Sequence, residues 1–339
     1  MNMYKKLASQ FMLLLFVAAT LASCESGTED PHVNAVIKKP SLLVLNEGAF
    51  QSSNASLDVI DLSSSVRTEN IIPNFGDVGS DVELINDRIY VVSSNSRKLY
   101  AMDPLEGTVV SNFNFSGEGA SPNAIVKISD NEALVTHLFL PRIDVIALGP
   151  DTVKSSITVG QGTGDIIVMG NKAYATASSS VLYVIDLSTK TLIDSLAVGD
   201  VPHRVLADPD RDQLITYSQG NWPNGTANIS FVDASSLEVR KKVDIQAGSF
   251  VNKIIMGQGK IFAVHADKVE SMDLVSGIPT TFATKGYLGG IYDKSSNELY
   301  LGSGDYTTPG KVDVLDATLG TVKRSYQAGI APTHFALYR

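Results

Sequence analysis

An apolar run that closes on aspartate recurs along this chain. It reads "DVIDL" at Asp61, "YAMDP" at Asp103, "YVIDL" at Asp186, "SFVDA" at Asp233, "ESMDL" at Asp273 and "DVLDA" at Asp316. Between the second and third of these, "DVIAL" places Ala147 where the aspartate would stand. The spacings are 42, 44, 39, 47, 40 and 43 residues, so seven units of about forty residues fill the chain from Ser41 onward. A chain built this way cannot form one continuous layered core. Each unit must bury its apolar faces against its neighbours.

The units read as strands, with little that reads as helix. In residues 164–199, "GDIIVMGNKAYATASSSVLYVIDLSTKTLIDSLAVG", strands are expected at 166–169, 173–177, 181–185 and 191–198. Four strands in about forty residues make a propeller blade. The expected fold is therefore all-β, a seven-bladed β-propeller with four strands per blade, over residues 41–339. The first unit opens on "SLLVL", a second-type strand with no inner strand before it. The chain closes on "APTHFALYR", which reads like the inner strands "VPHRVLAD" and "SPNAIVKI". Residues 333–338 should therefore complete blade 1 beside residues 41–45 and close the ring. The recurring aspartates stand just before turns such as "DLSTKT", where a carboxylate accepts hydrogen bonds from the backbone. They recur around the ring, so they cannot converge on a metal.

The N-terminus is of another kind. Lys5 and Lys6 precede a twelve-residue apolar run, 11–22, too short to span a bilayer as a helix. The run leads into "LASC", with the only cysteine at Cys24. This has the shape of a secretory signal over 1–23. Residues 24–40 are polar and read as a tether. One cysteine excludes an intramolecular disulfide scaffold. Without residues 1–23 the chain has 25 basic and 36 acidic residues, a formal net charge of −11, which points away from nucleic acid as a partner.

In a propeller, the loops between second and third strands share a face with the links between blades. Four of these loops are long: "NEGAFQSSNAS", "HLFLPR", "SQGNWPNGTANI" and "GSGDYTTPGK". Each carries an aromatic: Phe50, Phe139, Trp222 and Tyr306. With Asn54 and Asn224 among them, they suit a large ligand with an apolar body and polar edges. The ends of the second strands align as Asn46, Ser93, His137, Ala177, Ser218, His265 and Ser303. His203 lies with His334 at blade starts on the same face. The expected ligand-binding set is thus Asn46, Phe50, Asn54, His137, Phe139, His203, Trp222, Asn224, His265 and Tyr306. Glu47 and Asn54 are expected to hydrogen-bond their own loop into shape. No G-x-S-x-G, H-E-x-x-H or P-loop occurs, and no catalytic residue, metal site or cofactor is expected. A hydrolase or lyase would need paired pore carboxylates, for which Glu47, Asp77, Glu118 and Asp165 are in reach.

The repeat resembles the YVTN family of seven-bladed propellers, in "IYVVS" at Ile89, "AYATA" at Ala173, "YVIDLSTKTLIDSLAVG" at Tyr183 and "VGDVPHRV" at Val198. "LASC" resembles the lipobox of bacterial lipoproteins, which implies lipidation at Cys24. Glu25, Glu29 and Asp30 resemble the surface-export signal of Bacteroidetes lipoproteins. "LNEGAFQSSNASLDVID" resembles the opening blade of Bacteroidetes surface propeller lipoproteins, among them the BtuG-like cobalamin-capture family. That resemblance implies a non-enzymatic protein lipid-anchored to the outer membrane at the cell surface. It would capture a corrinoid such as cobalamin and pass it to a TonB-dependent transporter. A protein-interaction scaffold or adhesin and a glycan-binding propeller remain as alternatives.

Overall fold

The computed structural model describes residues 36–72, 75–221, 225–245 and 250–339. The expected signal peptide over 1–23, Cys24, Trp222 and Asn224 lie outside the described residues. The described chain forms seven four-stranded antiparallel sheets, each a blade, with strands in chain order from the centre outward in six of them. Blade 1 is the exception. Its inner strand is Pro332–Tyr338, paired antiparallel to Ser41–Asn46. Ring closure by the C-terminus follows the expectation from "APTHFALYR".

The seven inner strands are Pro332–Tyr338, Gly79–Ile85, Pro122–Ser129, Thr163–Met169, Pro202–Asp208, Val251–Gly257 and Gly289–Asp293. Each packs beside the next, and Gly289–Asp293 meets Pro332–Tyr338 to complete the circle. Second strands such as Ser41–Asn46 and Gln213–Ser218 are buried at every residue, since both faces of the sheet meet a neighbouring blade. That is why they read as continuous apolar runs rather than alternating ones. Apolar clusters fill the spaces between adjacent blades. Leu43, Leu45 and Val59 of blade 1 meet Val82, Ile89 and Tyr100 of blade 2. Leu42, Val44 and Ile60 meet Tyr300, Val312 and Tyr326 of blade 7 across the closure.

The recurring aspartates cap turns. Asp61 Oδ1 accepts from the Ser63 and Ser64 amides at 2.8 and 3.2 Å, and Asp186 Oδ1 accepts from Thr189 N at 2.8 Å. Asp103, Asp233, Asp273 and Asp316 repeat the pattern. These turns make one face of the disc. The chain enters there: Ile37 is buried in the cluster between blades 1 and 2, and its amide donates to Pro104 O at 2.7 Å. Leu62 N donates to Pro40 O at 3.0 Å.

Candidate functional site

On the opposite face, the links between blades and the loops after the second strands surround the mouth of the central channel. In five blades, the amide just after the second strand donates to the carbonyl just before an inner strand. The pairs are Glu47 to Ala331, Ser94 to Val78, Leu138 to Ser121, Ser178 to Gly162 and Gln219 to Val201, at 2.8–3.0 Å. This clamp turns the residue after the strand end toward the channel. Glu47, Ser94, Leu138 and Gln219 therefore line the mouth. The start of each inner strand supplies the rest, including Ser80, Asn123, His203, Asn252 and Thr333. The cavity is about 340 Å³. Below it the channel continues as a second space of about 450 Å³, lined by Asp81, Glu83, Asp165, Arg204 and Lys253.

The strand-end ring has a different job. Asn46 and His137 are 0% exposed and His265 is 1% exposed, so no ligand on the surface reaches them. The structure thus places these three residues of the expected binding set inside the blades. The reason is the period of two along a strand: the residue before a mouth residue faces the blade interior. Asn46 Nδ2 donates to Asp58 Oδ2 at 2.8 Å. Arg67 Nη2, Asn70 N and Gly329 N also donate to Asp58, at 2.9, 2.9 and 3.1 Å. His137 Nε2 lies 2.9 Å from Asp144 Oδ2, and Ser156 Oγ donates to Asp144 at 2.6 Å. Burial opposes ionisation of Asp144, but hydrogen bonds from His137 and Ser156 prevail and hold its carboxyl below the ordinary range. His265 Nε2 faces Glu270 at 3.1 Å in the same way. Sequence reasoning missed these acids. Their signal is an acid inside an otherwise apolar third strand, as in "LDVID", "IDVIA" and "VDVLD". A buried charge there needs a partner.

The other expected residues divide. His203 and Tyr306 line the mouth, as does His334. Phe50 and Phe139 are 67% and 74% exposed, outside the cavity lining but on loops that open onto the same face. Asn54 does shape its loop: its Oδ1 accepts from Ala49 N at 2.8 Å. Gly48 sits beside it at φ +78°, where a Cβ would meet Ala55 N and Asn54 Oδ1 at 2.6 and 2.7 Å. Glu47 does not shape the loop with its side chain, contrary to expectation. Its backbone ties the loop to Ala331 and Gly79. Its carboxylate faces the cavity, where burial raises its pKa against hydrogen bonding from Thr333, the charge of Arg204 and hydrogen bonding from Tyr306. The Tyr306 phenol is pushed up to about 12 by burial and by Glu47. Phe250, 49% exposed on the link into blade 6, also lines the mouth and had no signal in the sequence beyond being aromatic.

The channel is electrically divided. Asp81 and Asp165 lie on the inner strands of blades 2 and 4, and Arg204, Lys253 and His334 on those of blades 5, 6 and 1. Asp81 Oδ2 accepts from Ile125 N at 2.8 Å, and Asp165 Oδ2 from Val205 N at 3.0 Å. Each carboxylate thus caps an amide on the free edge of the following blade. Burial raises Asp81 to about 6 and Glu83, beside Asp81, to about 8. His203 is exposed to the mouth, yet enclosure and the charges of Arg204 and Lys253 push its imidazole down to about 3. Burial and the same cations push His334 well below its ordinary value. Both imidazoles are neutral at pH 7. Among the described residues, no group of His, Cys, Asp and Glu is arranged to hold a metal ion.

A family model described as a domain of unknown function, DUF5074, matches residues 41–212, just over half the chain. The chain belongs to the DUF5074 family. The matched stretch ends just past the inner strand of blade 5, so the closing strand of this DUF5074 protein lies beyond it. No curated protein matches. Among solved structures, the hydrazine synthase of Kuenenia stuttgartiensis is similar, with a TM-score of 0.66 at 14% identity over 76% of this chain and 88% of that one. The computationally designed Ika8 protein is similar with a TM-score of 0.53 at 11% identity over 76% and 89%. At these identities the likeness shows the fold alone.

Proposed function

We propose that this protein is a non-enzymatic capture protein that holds its ligand across the mouth of the channel. One observation carries this reading: exposed aromatics, Phe50, Phe139, Phe250 and Tyr306, stand on the face where Glu47, His203, Arg204 and His334 line a polar cavity. Large aromatics left in water are unfavourable unless something covers them. At about 340 Å³ the cavity is at the small end for ligand sites. A large ligand would insert one polar edge and lay its apolar body on the aromatic rim. Cobalamin or a related corrinoid has that build, and the resemblance of the opening blade favours it. Lipidation at Cys24 would anchor the chain at the outer membrane surface. A transporter of the TonB-dependent class in the same membrane would receive the ligand.

Calorimetric titration of the full-length protein in detergent with cyanocobalamin tests the corrinoid. Saturable heat at micromolar ligand, with a matching rise in Tm, is expected. No heat and no thermal shift would refute it. A protein partner is the second reading, favoured by Phe50 and Phe139 standing outside the cavity. It predicts stoichiometric co-purification with one outer-membrane protein, lost in Phe50→Ser/Phe139→Ser.

A further inference from the structure

Arg204 is a cation that forms no ion pair among the described residues, although its charge is felt by Glu47 across the cavity. It lies at the junction of the two channel spaces and lines both. Its Nε is buried and has no hydrogen-bond partner, and no described residue forms an ion pair with it. A guanidinium carries five donors in a planar fork, and leaving them unused in an enclosed site is costly. A buried polar group left unsatisfied in a native fold calls for an explanation.

The nearby acids are committed elsewhere. Asp165 accepts from Val205 N, the amide next to Arg204, without pairing with Arg204 itself. Asp81 accepts from Ile125 N. Glu47 is held toward its neutral form by burial while Thr333 and Tyr306 hydrogen-bond to it. Three more basic side chains gather around the guanidinium from three blades: His203 beside it, Lys253 on blade 6 and His334 on blade 1. The charges of Arg204 and Lys253 act on both imidazoles and keep them neutral. Thr333 Oγ1, which hydrogen-bonds to Glu47, lies 2.9 Å from His334 Nδ1, so the neutral ring spends its one N–H on that hydroxyl. Arg204 thus faces the cavity with donors that no described residue accepts.

We propose that the mouth is an oxyanion site, in which a phosphate or carboxylate group of the ligand seats in the fork of Arg204, with His203 donating beside it. Arginine matches such groups bidentately, with short charge-assisted hydrogen bonds. The proposal rests on the reading of the mouth as a binding site and adds the chemistry of the group that enters it first. It also gives the division of the channel a purpose. The acidic wall on blades 2 and 4 keeps the anion from passing down the channel.

The test uses the full-length protein with inorganic phosphate, methyl phosphate and succinate as probes, at constant ionic strength set with sodium chloride. Saturable binding in the millimolar range by calorimetry, with a rise in Tm that chloride does not reproduce, is expected. A preference for the phosphates or for succinate identifies the source of the oxyanion. Arg204→Gln should weaken binding at least tenfold. Arg204→Lys, which keeps the charge and loses the fork, should weaken it severalfold and serves if the glutamine variant does not fold. Lys154→Gln should bind as the parent does, since Lys154 sits on the outer strand of blade 3 and is spent on Glu132. Equal shifts with chloride and every oxyanion, or unchanged binding in both Arg204 variants, would overturn the site. If cyanocobalamin binds while the oxyanions do not compete with it, the capture reading stands and the oxyanion site falls.

Discussion

The two faces of this disc are built from the same repeat and have opposite characters. On the turn face, one device is used almost seven times over: an aspartate accepting two backbone amides, replaced only at Ala147. On the mouth face, hardly any residue repeats. The positions after the second strands are Glu47, Ser94, Leu138, Ser178, Gln219, Ala266 and Gly304. A turn has the same work to do in every blade, so its chemistry recurs. A ligand meets the ring once, so each blade can bring something different. Between the faces lies a third layer, the buried strand-end ring with its acids, whose role is to hold the mouth in place.

The sharpest way to break this division is to attack the layer between. Asp58 gathers donors from Asn46, Arg67, Asn70 and Gly329, the last from blade 7. Asp58→Ala should cost about 3–5 kcal/mol in urea unfolding, because it leaves Arg67 and Asn46 without a partner. A loss no larger than for a turn aspartate would mean that closure does not depend on this hub. Glu47→Gln comes next. Gln preserves the hydrogen-bonding shape, so the Tm should stay within about 2 °C of the parent. Ligand affinity at the mouth should change severalfold. A large fall in Tm with unchanged affinity would return Glu47 to a structural role.

Acid titration separates the faces by window. His203 and His334 are neutral in the fold and take up protons in the unfolded chain below its ordinary pKa of 6.5. Their effect is to lose stability as pH falls from about 6.5 toward 3. Asp61 is held at about 2 by hydrogen bonds from Ser63, side chain and backbone, and from Ser64. Its contribution is intact above pH 4 and is lost only as pH falls through 2. His334→Gln should therefore be more acid-resistant than the parent between pH 6 and 4, and Asp61→Asn should differ from it above pH 4 by a constant amount. Melting curves across that range, compared as variant minus parent, decide this. Glu83 runs the other way. Its carboxyl, raised to about 8, gives stability that is present at low pH and lost as pH rises through 8. Glu83→Gln should match the parent at pH 5 and exceed its Tm at pH 9 by about 1–2 °C. The smallest effect is expected for Asp186→Ala, an exposed turn in one blade of seven, with a fall in Tm of about 1 °C.

How much was legible follows the same lines. Blade number, strand number and the closing strand could be read because they repeat, and seven copies of a weak signal make a strong one. The alignment of strand ends from Asn46 to Ser303 was also correct as an alignment. What it missed was phase. The ring position itself faces inward, and the residue after it faces the mouth. In a strand that carries apolar residues on both faces, the pattern does not say which way a terminal side chain points. Only the clamp between Glu47 N and Ala331 O, and its counterparts, decides it.

By itself, then, the sequence determined the propeller, its closure and its turn face, because each rests on local patterns that recur every forty residues. The tertiary structure alone decided the mouth. Arg204, His334 and Glu47 stand far apart along the chain and share no motif, and they become one site because the ring brings the starts of its inner strands to a common axis. It also decided that the buried Nε of Arg204 has no partner there, since an unused donor is a property of what surrounds a residue and not of the residue itself.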